Sequence, residues 1–196
     1  MFRLGLTGSI ATGKSTTSAM FRAAGIPVHD ADAAVHRLYA GAAVPLIAEA
    51  FPGAVREGVV DRMALGAMVA GKPEEFARLE RIVHPLVHEE ENRAIAAASV
   101  AGHRLVVLDI PLLFETGAQG RCDAVLVTIV DPDEQKRRAL ARPGMTETLF
   151  HAILSRQMPM AEKCRRAHAI LDTGRGLETA SRDIAALLRA LAPALN

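Results

Sequence analysis

Cysteine is scarce in this chain of 196 residues: Cys122 and Cys164 are the only two, far apart and outside any C-x-x-C pair. That excludes a disulfide framework and makes a reducing compartment the simpler setting. A surplus of one charge is missing as well. Twenty-three Lys and Arg stand against 22 Asp and Glu, a net charge of +1, so nothing in the balance draws the chain toward nucleic acid or a membrane. Long hydrophobic runs are also absent. The most apolar stretch, Leu105 to Phe114, contains Asp109 and Pro111 and falls far short of a bilayer's thickness. The apolar N-terminal segment is broken by Gly5 and Gly8, unlike a signal-peptide core. A soluble, cytoplasmic protein is expected. Asparagine is rare too: Asn92 and Asn196 are the only two, and neither precedes a lysine, so the guanine-reading N-K-x-D is missing. No aspartate opens a D-x-x-G either, which leaves a GTP-driven switch as a distant alternative. Internal repeats and low-complexity tracts are lacking. His84 and His88 stand four apart, but without an H-E-x-x-H or a third ligand they predict no zinc site.

What is present is Gly8-Ser-Ile-Ala-Thr-Gly13-Lys14-Ser15, a match to G-x-x-x-x-G-K-[ST]. The apolar run from Phe2 to Thr7 leads into it as a buried strand, and Ser15 to Ala24 reads as a helix stopped by Gly25. This strand–loop–helix setting is what the motif requires to be a phosphate-binding loop. Glycines let backbone wrap closely around phosphate oxygens, and successive N–H groups with a helix N-terminus supply positive potential. Lys14 is expected to reach the β- and γ-phosphates, and the Ser15 hydroxyl to ligate Mg²⁺. The chain is thus read as binding a nucleoside triphosphate, as a kinase or an ATPase.

Half the residues are hydrophobic and 23% are charged, which suits one compact domain with insertions. Strand-like and helix-like segments alternate. Ile26–His29, Arg104–Asp109, Ala124–Val130 and Ala169–Leu171 read as further strands, with Asp30 capping a helix toward Tyr39 and Asp131-Pro132 opening one through Arg142. A terminal helix is expected over Leu177–Leu191. The predicted fold is therefore α/β, a doubly wound parallel sheet with helices on both faces. Two segments depart from the alternation. Residues 31–102 read as almost wholly helical, divided by Pro45, Pro52, Pro73 and Pro85 and capped at Asp61, and form an inserted helical subdomain. Residues 134–166 hold eight Lys or Arg against three acids and read as an arginine-rich helical hairpin. That hairpin is either a lid over phosphates or a solvated basic face. The core is then residues 1–30, 103–133 and 167–196.

A phosphoryl acceptor needs a carboxylate to orient its hydroxyl and take its proton. The second strand ends at His29-Asp30-Ala-Asp32, beside the crevice where doubly wound sheets bind ligands. Asp30 has a structural use as a helix cap, whereas Asp32 gains only about 0.3–1 kcal/mol from the helix dipole. Position alone leaves both as candidates.

Here the chain resembles the dephospho-coenzyme A kinases, which phosphorylate the ribose 3′-hydroxyl of dephospho-CoA in the last step of CoA synthesis. The resemblance runs nearly end to end. It rests on Gly5-Leu-Thr-Gly8 through Lys14-Ser15-Thr16, on Val28-His-Asp-Ala-Asp32, on Asp61-Arg62 with Leu65, on Leu79-Glu80 and on Ile82-Val-His84-Pro85. It continues through Asp109-Ile-Pro111-Leu-Leu-Phe-Glu115, Gln135-x-x-Arg138-x-x-x-Arg142 and Gln157. The resemblance implies Asp32 as the base, with Lys14, Arg138 and Arg142 acting on the transferring group and the basic segment as a lid. ATP would lie on Gly8, Ala11, Thr12, Gly13, Lys14, Ser15 and Thr16. The acceptor would lie on Asp32, Arg62, His84, Pro111 and Glu115, with His84-Pro85 kinking the helical subdomain. Mg²⁺ would sit on Ser15, with Asp109 reaching it through water. For Glu115 two readings stay open: a group orienting metal or substrate, or a surface loop acid. The implied partners are the small molecules ATP and dephospho-CoA, with no nucleic acid or membrane, for a monomer or small homo-oligomer. Another nucleoside or nucleotide kinase is the alternative. The Glu89-Glu90-Glu91 run reads as solvated helix face. Two departures stand out. Ser9 and Ala11 replace glycines common in the family's loop, and Thr173 stands where the family's D-N-x-G places an asparagine, implied to lie beside the base. His168 likewise replaces an aspartate.

Overall fold

The computed structural model describes residues 1–195. Along the chain run β1 (Phe2–Gly8), α1 (Lys14–Ala23), β2 (Val28–Asp30), α2 (Ala31–Tyr39), α3 (Val44–Ala50), β3 (Val55–Arg56), β4 (Val59–Val60), α4 (Arg62–Val69) and α5 (Pro73–Val100). There follow β5 (Leu105–Asp109), β6 (Ala124–Ile129), α6 (Pro132–Leu140), α7 (Glu147–Leu154), α8 (Met160–Arg166), β7 (Ala169–Asp172) and α9 (Leu177–Leu191). These elements divide into two compact units, one of residues 1–29 and 98–196, the other of residues 30–97.

The first unit is built on the expected sheet, five strands in the order β2-β5-β1-β6-β7. β1 pairs in parallel with β5 on one side, Leu4 opposite Val107, and with β6 on the other, Leu6 opposite Leu126. β7 joins β6 in the same sense. Every residue of β5 is buried, the pattern of a parallel strand covered on both faces. One face packs Leu4, Leu6, Leu105, Val107, Leu126 and Leu171 against Phe21 of α1 and Ala180 and Ile184 of α9. β1 is central, with β2 and β5 on one side and β6 and β7 on the other, so the order reverses at its carboxyl end, where open α/β sheets hold ligands. The turn after α1 is made by Gly25 at φ 77°, the expected stop. Asp131 caps α6 through the amides of Asp133 and Glu134, with Pro132 at the first helical position.

The second unit corrects the sequence reading in two places. It is not wholly helical: Val55-Arg56 and Val59-Val60 pair as an antiparallel hairpin. Its two turn residues, Glu57 at φ 50° and Gly58 at φ 78°, both take the left-handed region that a type I′ turn demands. Pro85 does not divide the chain either, since α5 runs through it unbroken for 28 residues. Proline there removes one amide from the ladder, and the many neighbouring turns outweigh that loss. The core joins Leu38, Ile47, Phe51, Val60, Leu65, Leu79 and Val83. Asp61 caps α4 with bonds of 3.0 Å from the amides of Met63 and Ala64, as read from sequence. Glu91 is only 2% exposed, so the acidic run is not a uniformly solvated face.

Candidate active site

The loop between β1 and α1 takes its shape from two left-handed residues, Ala11 at φ 61° and Gly13 at φ 90°. Gly8 is required by its neighbours, since a Cβ there would lie 2.2 Å from Thr128 Oγ1 and 2.5 Å from Thr12 Oγ1. Those two hydroxyls are 2.8 Å apart, and Thr12 also donates to the Ser9 carbonyl at 2.9 Å. α1 begins at Lys14 with Gly13 as its N-cap, no side-chain cap and no acid in its first turn. Its leading amides are thus open to an anion. Ser15 and Thr16 are exposed at this end.

Lys14 and Ser18 lie one helical turn apart and meet the same carboxylate. Lys14 Nζ is 2.5 Å from Asp109 Oδ1, and Ser18 Oγ donates to Asp109 Oδ2 at 2.5 Å. Asp109, at the end of β5, is 2% exposed, so the lysine's charge balances a buried anion. Ser18 escaped the sequence reading, although its four-residue spacing from Lys14 is a signal that could have found it.

Residues 134–166 form three helices, α6 to α8, rather than a hairpin. Pro143 and Pro159 lie in the two connections, where a helix cannot continue unchanged. Phe150 of α7 and Ala139 of α6 pack on Ala11, so this segment rests on the phosphate loop in the structure. Two glutamines hold Ile10 of that loop: Gln135 Nε2 donates to its carbonyl at 2.7 Å, and its amide donates to Gln157 Oε1 at 3.1 Å. Most of the basic side chains here are matched to acids, Lys136 to Glu147, Arg137 and Arg138 to Glu134, and Arg165 and Arg166 to Glu162. Bonds from Arg137 and Arg138 hold the Glu134 carboxyl at about 2.

Arg138 and Arg142 line a cavity of about 220 Å³ with Ala11, Gly13, Thr16 and Thr173. Met20, Leu177 and Ala180 supply its apolar wall. Thr173 bonds to Arg138 and to the Thr12 carbonyl, a junction that the sequence did not reveal.

Pro111 follows β5 and accepts a bond from Thr7 Oγ1 at 2.9 Å. Glu115 is neither an isolated surface acid nor part of the cavity lining just described. Its Oε1 lies 2.9 Å from Nζ of Lys163, which is fully buried, and accepts the Met158 amide at 2.7 Å. Burial pushes this carboxyl up, but the ammonium and the amide outweigh burial and hold it below its usual range. In the unit of residues 30–97, Asp30 caps α2 by accepting the Ala33 amide at 2.9 Å, and Asp32 lies in the same first turn. Arg62 opens α4 and is exposed. The His84 side chain is 54% exposed, 3.8 Å from Glu80, and stacks on His88 with centroids 6.4 Å apart. Among the described residues no three His, Cys, Asp or Glu gather as a metal cluster.

A sequence model of the dephospho-CoA kinase family matches residues 2–178. A dephospho-CoA kinase of Mesorhizobium japonicum is 54% identical over 188 residues, covering 96% of this chain and 95% of that one. Its counterpart from Agrobacterium fabrum is 49% identical, covering 97% of this chain and 98% of its own. Among solved structures, a protein from Thermus thermophilus superposes with a TM-score of 0.87 at 36% identity, covering 97% of each chain. A dephospho-CoA kinase from Campylobacter jejuni, at 20% identity and a TM-score of 0.63 over 96% of each chain, shares the fold. With the loop, the sheet and the match over nearly its whole length in agreement, this chain belongs to the dephospho-CoA kinase family.

Proposed function

We propose that this chain transfers the γ-phosphoryl group of ATP to the ribose 3′-hydroxyl of dephospho-CoA, giving CoA and ADP. The observation that carries this reading is the uncapped N-terminus of α1, facing a cavity that Arg138 and Arg142 also line. A polyanion is the ligand such a cradle suits. Family membership supplies the acceptor.

In this mechanism the loop amides and Lys14 hold the β- and γ-phosphates. Lys14 would exchange its contact with Asp109 for one with the nucleotide, or share its three N–H donors between them. The acceptor oxygen attacks the γ-phosphorus in line, the bond from phosphorus to the β,γ-bridging oxygen breaks, and its electron pair leaves with ADP. The hydroxyl proton passes to a carboxylate, which we assign to Asp32. Support for Asp32 over Asp30 comes from Asp30's use as the α2 cap. Arg138 and Arg142 stabilise charge spreading over the transferring oxygens. The α6–α8 segment excludes water that would otherwise compete with the hydroxyl. We assign acceptor contacts to Arg62, His84 and Pro111 on the resemblance, and to Glu115 the role of anchoring the α7–α8 connection through Met158.

Magnesium fits the donors present. Ser15 offers an exposed hydroxyl oxygen at the loop, while Asp109, buried and engaged by Lys14 and Ser18, would act on the ion through a bound water. Mg²⁺ characteristically takes one or two protein oxygens and completes its shell with water and phosphate, so no protein cage is needed. When bound it would neutralise charge on the phosphate oxygens.

The test is an acceptor panel with Mg·ATP: dephospho-CoA, adenosine and AMP, compared by kcat/KM. Dephospho-CoA should be preferred by at least tenfold or so, because binding energy from its pantetheine and pyrophosphate portions positions the ribose. Preference for AMP or a simple nucleoside would reduce the reading to a nucleotide kinase of the same fold.

A further inference from the structure

Thr173 replaces the asparagine of the family's D-N-x-G pattern, and its surroundings give it a use unrelated to the base. Its single hydroxyl proton goes to the Thr12 carbonyl at 2.9 Å, with the Ile129 carbonyl at 3.2 Å as the second acceptor in reach. The same oxygen accepts from Arg138 Nη1 at 3.0 Å, while Arg138 Nη2 donates to the Thr173 carbonyl at 3.1 Å. One residue therefore binds the phosphate loop, the end of β6 and the guanidinium fork of α6.

Each contact fixes an orientation. The Thr12–Gly13 peptide is trans, so turning its carbonyl toward Thr173 turns the Gly13 N–H to the opposite side. That amide belongs to the loop read here as the phosphate cradle, and Gly13 lines the cavity. The Thr173 side chain also fills the space that a Cβ at Gly13 would need, since such an atom would lie 2.8–2.9 Å from all three of its side-chain atoms. On the other side, Arg138 is held at three points, with Nε on Glu134 Oε1 at 2.7 Å and the two Nη atoms on Thr173. A guanidinium has five N–H donors. Three are engaged in this way, and two remain for a ligand in the cavity that Arg138 lines.

We propose that Thr173 is a positioning residue, setting the Gly13 amide and the Arg138 guanidinium in fixed register so that loop and lid meet the same triphosphate together. The proposal rests on reading this cavity as the ATP site. Valine keeps the branched shape of threonine but neither donates to Thr12 nor accepts from Arg138. Serine keeps the hydroxyl.

The experiment compares Thr173→Val, Thr173→Ser, Arg138→Ala and the Thr173→Val/Arg138→Ala double variant. It measures kcat and KM for ATP at saturating dephospho-CoA, the Kd of a non-hydrolysable Mg·ATP analogue by calorimetry, and the melting temperature. Thr173→Val should lower kcat/KM for ATP by about 10- to 100-fold and weaken the analogue about tenfold, the scale of losing hydrogen bonds to a charged group. Thr173→Ser should stay within about threefold of wild type, because the bonds are retained. The double variant should lose less than the product of the single effects, because Thr173→Val already removes one of the three holds on Arg138 and with it part of what that residue contributes. A Thr173→Val enzyme with unchanged kcat/KM and analogue affinity would overturn the proposal. So would a serine variant as impaired as the valine one, or effects that multiply. Where valine does not fold, Thr173→Ala removes the same hydroxyl and is read the same way. Wild-type turnover of dephospho-CoA separates the two claims: its absence counts against the functional reading, while the analogue affinities still report on Thr173.

Discussion

Replacing Lys163 by methionine isolates the worth of the most deeply buried charge among the described residues. Lys163 is 0% exposed and lies 2.9 Å from Glu115 Oε1, whose side chain is 16% exposed. The pair is held by charge rather than by a well-directed hydrogen bond, and Glu115 Oε2 accepts none. Removing one member of a buried pair typically costs about 3–5 kcal/mol, because the other charge is left without its partner. Water can reach Glu115 in part and the Met158 amide still donates to it, so the lower end, about 3 kcal/mol, applies. At about 2–4 °C per kcal/mol for a chain of this size, Lys163→Met should melt roughly 6–12 °C lower. Adding Glu115→Gln should recover much of that, since an uncharged amide has no ion to strand and still accepts from Met158. Differential scanning calorimetry of the three proteins gives the comparison. The pH dependence has a definite sign. Glu115 titrates lower in the folded chain than its usual value, so its contribution is full above about pH 4.3 and is lost as pH falls through the folded value. The gap between wild type and Lys163→Met should therefore narrow below about pH 4. A shift under about 2 °C at neutral pH, or a double variant less stable than the single one, would refute this reasoning.

Lys14→Ala should lower kcat by about 10²–10³ or more through loss of phosphate stabilisation. It should also lower the melting temperature, because among the described residues Asp109 keeps only the Ser18 side chain as a partner, and single-turnover transfer measured beside a thermal melt checks both. Asp32→Asn should reduce kcat by roughly 10²–10⁴ with ATP binding little changed. Asp30→Asn should be mild, as asparagine caps helices comparably, and a reversed order in steady-state kinetics would make Asp30 the base. Gly8→Ala drives a methyl into Thr128 and Thr12 at 2.2 and 2.5 Å, so calorimetry should find ATP-analogue affinity lost together with stability.

Local signals were legible in the sequence. The Gly8–Ser15 loop, the stop at Gly25, the caps at Asp30, Asp61 and Asp131 and the buried strands all depend on nearest neighbours, and the structure has them there. The β3–β4 hairpin was missed because its turn opens with Glu57 rather than an asparagine or aspartate, so only Gly58 announced it. Pro85 misled because a proline is read as a break, although a long helix packed along one face absorbs a single lost amide. Residues 134–166 read as a helical hairpin, but their charge pattern says nothing of how many helices carry it, and the structure has three. The rest of the site lies in contacts between distant residues. Asp109 meets Lys14 across 95 positions and Thr173 meets Thr12 across 161, and no local pattern encodes such pairs. Lys163 was invisible for a further reason: lysine is almost never fully buried, so composition argues against the place it holds.

A labelled phosphoryl group reports the reaction itself. With γ-labelled ATP, Mg²⁺ and dephospho-CoA in a single turnover, the label should enter CoA and be released completely by a 3′-nucleotidase. Label recovered as inorganic phosphate, on another oxygen of the acceptor, or only when AMP replaces dephospho-CoA would contradict the proposed transfer.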